Sequence, residues 1–247
     1  MTVRRLALPL LAVFCCYALY CRTLPKPAPS AAAWSPGRTA ELTLPAIEIN
    51  SVALGPYAAA EEARAMGAKL VCRGAAACVR RDGISYRVLL CLCEGGDAAL
   101  SAQKQLHINE KMDVGAYQAR FSATTVRIHA TEDQIAAVSA ALEMLKDAPE
   151  QLNRLAEQID RGLGDIASAR TLAEVLHGDI RAIREQLEAQ TAGTENPFCL
   201  SLARAADYLD HSLEESLRTR EPLELSSALR QMALELSFAL GEMGQTS

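Results

Sequence analysis

At Ala130 the spacing of the apolar residues changes, and that change divides the chain into two kinds of structure. Before it, Thr124-Thr125-Val126-Arg127-Ile128-His129-Ala130 alternates in character, the period of a half-buried strand. After it, Ile135, Val138, Leu142 and Leu145 recur every three or four residues, the period of a helix with one apolar face. Thr131-Glu132-Asp133-Gln134 stands at the junction with the form of a capping box, so a helix is expected to begin directly after the strand.

The second half reads as helical throughout, and alanine, leucine, glutamate and arginine dominate it. Pro149 is expected to interrupt the first helix. From Leu152 a seven-residue repeat runs through Leu155, Ile159, Ile166, Ala169, Ala173, Leu176, Ile180, Ile183 and Leu187, which predicts a long helix whose middle Gly162 and Gly164 weaken. Gly193 and Asn196-Pro197 mark a loop. Two further helices are expected over residues 199–219 and 223–240, the second opening at Pro222. Their apolar seams include Leu202, Ala206, Leu209, Leu213, Leu229, Met232 and Leu236. Such stripes must be buried, either on each other as an antiparallel bundle or on a second copy as a coiled coil.

At the other end, residues 6–21 are uncharged and apolar between Arg4-Arg5 and Arg22, the pattern of a membrane-insertion signal with positive charge kept inside. The run is close to the lower length limit for a span, about 17 residues. A single-span anchor over residues 1–22 and a cleaved signal peptide are the two readings, and Tyr17-Ala18-Leu19-Tyr20-Cys21 offers no small-residue cleavage site. Either places the body on the extracytoplasmic side. Residues 23–45 hold Pro25, Pro27, Pro29, Pro36 and Pro45 and read as an extended linker.

Residues 46–130 read as one folded unit. Residues 47–54 alternate as a strand that stops at Gly55-Pro56. Ala63, Met66 and Leu70 share one face of a helix over 59–73, with Glu61 and Glu62 in its first turn and Gly74 at its end. Two apolar runs, 76–80 and 84–93, flank Arg81-Asp82-Gly83, a hairpin signal. A second helix over 97–111 and a strand over 124–130 complete the order βαββαβ. That order predicts a ferredoxin-like four-stranded antiparallel sheet with both helices on one face and the other face open to solvent.

Val52-Ala53-Leu54-Gly55-Pro56-Tyr57, the helix opening Ala59-Ala60-Glu61-Glu62-Ala63, and Tyr86-Arg87-Val88 on the third strand together resemble the SPOR (sporulation-related repeat) domain family over about a third of the chain. The resemblance implies binding of peptidoglycan, especially glycan strands stripped of stem peptides, at division or sporulation septa. It implies a ligand site on the open sheet face built from Ser51, Ala53 and Arg87, with Tyr57 nearby. Two departures, Ala53 where the family often has glutamine and Cys93-Glu94-Gly95-Gly96 where it often repeats the Gly-Pro-aromatic turn, motivate a second expectation. On that view the chain is an envelope adaptor that acts through helical contacts, with a protein partner or a second copy, and binds no glycan.

Catalytic motifs are absent: the chain has no phosphate-binding loop, zinc-protease motif or nucleophile elbow, so no enzyme activity and no cofactor are expected. A formal charge of −5 and an aromatic content of 4% disfavour a nucleic-acid partner. His107, His129, His177 and His211 sit in different elements and are expected to form no metal site. Cys91 and Cys93 share a strand face, and Cys72 and Cys78 belong to neighbouring segments. These thiols are either small apolar core residues or a disulfide or thiolate site.

Overall fold

The computed structural model describes residues 37–110, 112–162 and 166–245. The chain divides into two units, Met1–Pro36 and Gly37–Ser247; the expected membrane anchor and most of the expected linker lie outside the described residues. Among those that are described, no helix is long and apolar enough to cross a membrane. The second unit is α+β, with two antiparallel sheets and six helices.

Residues 38–44, assigned above to the linker, form strand β1 (Arg38–Leu44). Pro36 and Pro45 bracket a proline-free stretch in which Leu42 and Leu44 point inward and Glu41 and Thr43 outward, the alternation a strand requires. β2 (Ile47–Tyr57) follows after two residues. Late in the unit, β5 (Val114–Phe121) and β6 (Thr124–Ala130) are likewise two residues apart. β1 pairs with β6 and β2 with β5 in one unbroken register: Leu44 faces Thr124, and Ile47 faces Phe121. The two pairs are thus one long ribbon interrupted by matched two-residue joints.

The four-stranded sheet has the order β3-β4-β2-β5, with β3 (Cys78–Asp82) and β4 (Ser85–Cys93) joined at Gly83 and Ile84, Gly83 taking φ +62°. Its fourth strand is therefore β5 and not the expected 124–130. The Gly115, Ala116 and Ala119 of β5 give a faint apolar rhythm, whereas Val126 and Ile128 of β6 give a clear one. β6 does form a strand, but it turns away with β1. Helices α1 (Ala60–Val71) and α2 (Gly96–Glu110) cover one face of the sheet, where Ala63 and Leu70 join Val52, Leu54, Val88, Leu90 and Val114.

Helix α3 (Glu132–Asp160) starts at the expected capping box: the Gln134 N–H donates to the Thr131 hydroxyl at 3.3 Å, and the Thr131 N–H donates to Gln134 Oε1 at 3.0 Å. It does not stop at Pro149. An interior proline costs about 3 kcal/mol in an isolated helix, but Leu145, Ala148, Pro149 and Leu152 are all buried and tertiary packing holds the helix through it. The break falls instead beside Gly162, whose φ of +56° suits glycine. Helices α4 (Ile166–Thr191), α5 (Pro197–Ser216) and α6 (Pro222–Met243) follow, each packed on the one before, and α6 returns to α3. Their stripes meet within the chain, together with Leu42, Leu44, Val126 and Ile128 of the ribbon.

α6 has a second set of contacts. Leu229, Met232, Leu236 and Leu240 face the other helices, while Leu234 and Phe238 press on Ile49, Ala53, Cys78 and Leu89 of the sheet. The sheet face expected to be open is covered by α6. A helix apolar around most of its circumference must be enclosed on more than one side.

Candidate functional site

Period-two alternation places Ile49, Ser51 and Ala53 of β2 on the face beneath α6. Ser51 is fully buried, and its hydroxyl donates to the Cys91 carbonyl at 2.6 Å. The pairing of β2 with β4 changes register there: Val52 faces Cys91 and Ala53 faces Leu89, leaving Leu90 extra. Ser51 therefore satisfies a backbone acceptor beside a bulge, where the ladder is disturbed. Ala53 is also fully buried, in the cluster that holds Leu234 and Phe238. Neither residue is presented to a ligand.

Tyr57 ends β2 half-buried against the cluster under α1 and α2. Burial, then the nearby Glu62 carboxylate, pushes its phenol above the ordinary range. Arg87 shares the face of Leu89 and lies at the end of the sheet past α6, its Nε donating to Asp82 Oδ2 at 2.5 Å. Tyr117, which the sequence reading passed over, faces the same charges: burial raises its phenol most, and Asp82 adds to the rise. Its ring lies 6.4 Å from that of Phe238, and the Arg80 guanidinium sits 4.2 Å over the Phe238 ring. The structure thus gathers Arg87, Asp82 and Tyr117 at one end of the sheet and leaves Ser51, Ala53 and Tyr57 elsewhere.

A broad cleft lies on the opposite face. Leu70 and Arg73 at the end of α1, Ala102, Leu106 and Asn109 of α2, and Leu90 and Cys91 of β4 enclose its volume of about 770 Å³, which extends to Arg230 of α6. Arg73 and Glu110 pair across it at 3.5 Å. Arg230 is held by Asp160 at 2.5 Å and donates to the Gly74 carbonyl at 2.6 Å.

Cys91 is in the lining of the cleft, and its Sγ is 3.7 Å from that of Cys93. The Cys93 thiol, the Arg230 charge and the Val52 N–H all favour the Cys91 thiolate and outweigh its burial, drawing Cys91 below the ordinary thiol range. The same hydrogen bond, with burial, drives Cys93 the other way. Cys72 lies on the rim of the cleft, whereas Cys78 is buried under α6 and pushed up to about 11 by that burial. Two of the four grouped cysteines therefore meet, and among the described residues no set of three His, Cys, Asp or Glu side chains is placed to hold a metal ion.

A separate polar cluster joins α4 to α5. The buried Asp210 carboxylate accepts from Arg181 Nε at 3.3 Å and lies 2.9 Å from His177 Nε2 and 3.1 Å from Arg184 Nε. Its trace in the sequence is an aspartate on the seam of Ala206, Leu209 and Leu213.

No family model, no curated protein and no solved structure matches this chain.

Proposed function

We infer that this is a non-catalytic, membrane-anchored cell-envelope adaptor that acts through protein contacts of its helical half and not through glycan bound across the sheet. The observation that carries this reading is the seat of α6, which buries Ser51 and Ala53 on the face that a sugar polymer would need. The strand order β3-β4-β2-β5, with α1 and α2 on one face, supports a ferredoxin-like, SPOR-like framework beneath that covering. A shallow dip between α3 and α4, where Leu172 is half exposed beside Leu155, Val175 and Leu176, offers the helical half an apolar contact. The apolar run flanked by arginines at residues 4–22 supports the anchor and the extracytoplasmic placement.

Peptidoglycan binding is the second reading, and the observation in its favour is the group of Arg87, Asp82 and Tyr117, whose Arg87 and Asp82 side chains remain partly exposed. Sedimentation of the full chain with sacculi separates the two. The adaptor reading expects no enrichment on intact sacculi or on sacculi stripped of stem peptides by an amidase. Enrichment that rises on stripping and falls in Arg87→Ala would replace it with glycan recognition. The full chain is needed because a fragment starting at residue 46 lacks β1, the partner of β6.

A further inference from the structure

Independently of that reading, the cleft under α1 and α2 combines three things a thiol exchange site needs. One is a pair of sulfurs already in contact. Residues two apart on a strand present their side chains on one face, and the Cys91 and Cys93 sulfurs stand 3.7 Å from each other. The second is access for an incoming molecule: Cys91 is in the lining of the cleft. The third is room, since about 770 Å³ matches the size of small-molecule pockets.

We propose that Cys91 and Cys93 are a reversible dithiol–disulfide couple that exchanges with a low-molecular-weight disulfide admitted to this cleft. In the first step the Cys91 thiolate attacks one sulfur of the small disulfide, whose S–S bond breaks as the Cys91–S bond forms. The departing thiolate takes up a proton. In the second, Cys93 gives its proton to solvent and attacks Cys91 Sγ, which closes the Cys91–Cys93 bond and expels the second small thiolate, itself then protonated. Two electrons pass from the two cysteines to the small disulfide, which leaves as two thiols. The order of attack follows from the hydrogen bond between the pair. While Cys91 is a thiolate it holds the Cys93 proton in place; once Cys91 is in the mixed disulfide, that hold is gone and Cys93 is free to react.

A tryptic map of the full-length chain tests this directly, because cleavage after Arg87 and Lys104 puts both sulfurs on one peptide, residues 88–104. After exposure to oxidised glutathione and then an alkylating agent, the peptide is expected without alkyl groups and lighter by two hydrogens, and dithiothreitol is expected to restore two alkylatable thiols. Cys93→Ser is expected to trap one glutathione on Cys91, and Cys91→Ser to leave Cys93 at least tenfold less reactive. The wild-type map needs no variant, so a substitution that fails to fold leaves the test intact. Separate glutathione adducts on both cysteines with no internal bond would overturn the proposal. Reduction of insulin, a disulfide protein too large for the cleft, at the rate found for oxidised glutathione would overturn the small-molecule assignment.

Discussion

The two faces of the four-stranded sheet are covered by different kinds of helix. One carries α1 and α2, the crossover helices that join strands consecutive in the chain but not adjacent in the sheet, and α2 buries only Ala99 fully. The other carries α6, which arrives from more than a hundred residues away, and 13 of its 22 residues are buried. The nearby helices leave a cleft lined by Cys91; the distant one leaves a dry contact of Leu234 and Phe238 on Ile49, Ala53 and Leu89. Open space and dense packing lie on opposite sides of one sheet.

Phe238 gives the hardest test of that contrast. It meets Phe121 edge-on at 6.2 Å and carries the Arg80 guanidinium. Phe238→Ala should lower stability by about 3–5 kcal/mol in urea denaturation, and a loss below about 1 kcal/mol would mean that α6 does not seal the face. Gly241 lies against the Phe121 ring, and a Cβ there would run into it. Gly241→Ala should cost about 2 kcal/mol by overpacking, and the added substitution Phe121→Leu should recover part of it.

Cys78 extends the comparison to pH. Burial raises its thiol from 9.0 to about 11, so the folded chain keeps a proton that the unfolded chain loses. The stabilisation is complete below pH 9 and disappears as pH climbs toward 11, an effect of about 3 kcal/mol. Cys78→Ala should flatten the alkaline slope of a pH series of melts. Leu106, half-buried on α2, should show the smallest stability effect, about 1 kcal/mol in Leu106→Ala. The same substitution should speed Cys91 alkylation, which no change under α6 should do. Equal acceleration by Phe238→Ala would erase the distinction between the faces.

What the sequence disclosed follows from the range of the interactions involved. The capping box at Thr131 and Gln134, the period of α3 through α6, and the shared strand face of Cys91 and Cys93 are set by residues within a few positions of one another, and they stand in the structure as read. The alternation that puts Ser51 and Ala53 on one face was equally legible. What occupies that face was not, because Leu234 and Phe238 lie about 180 residues further along the chain. A trace was present in α6 itself, whose Leu234 and Phe238 form a second stripe off the seam of Leu229, Met232 and Leu236. β5 and the continuity of α3 through Pro149 escaped for opposite reasons: small residues muted a real strand, and tertiary packing overrode a real helix breaker.

The unbroken register of the ribbon ties together two places that are far apart in the chain. Pro45-Ala46 and Ser122-Ala123 are equal in length, and that equality keeps Leu42 and Leu44 facing the helices while Ile47 faces the sheet. One residue inserted at either joint turns every side chain of the strand beyond it to the wrong side. Relatives of this chain should therefore change length at the two joints together or not at all, so that a paired insertion marks the same architecture even where no side chain is shared.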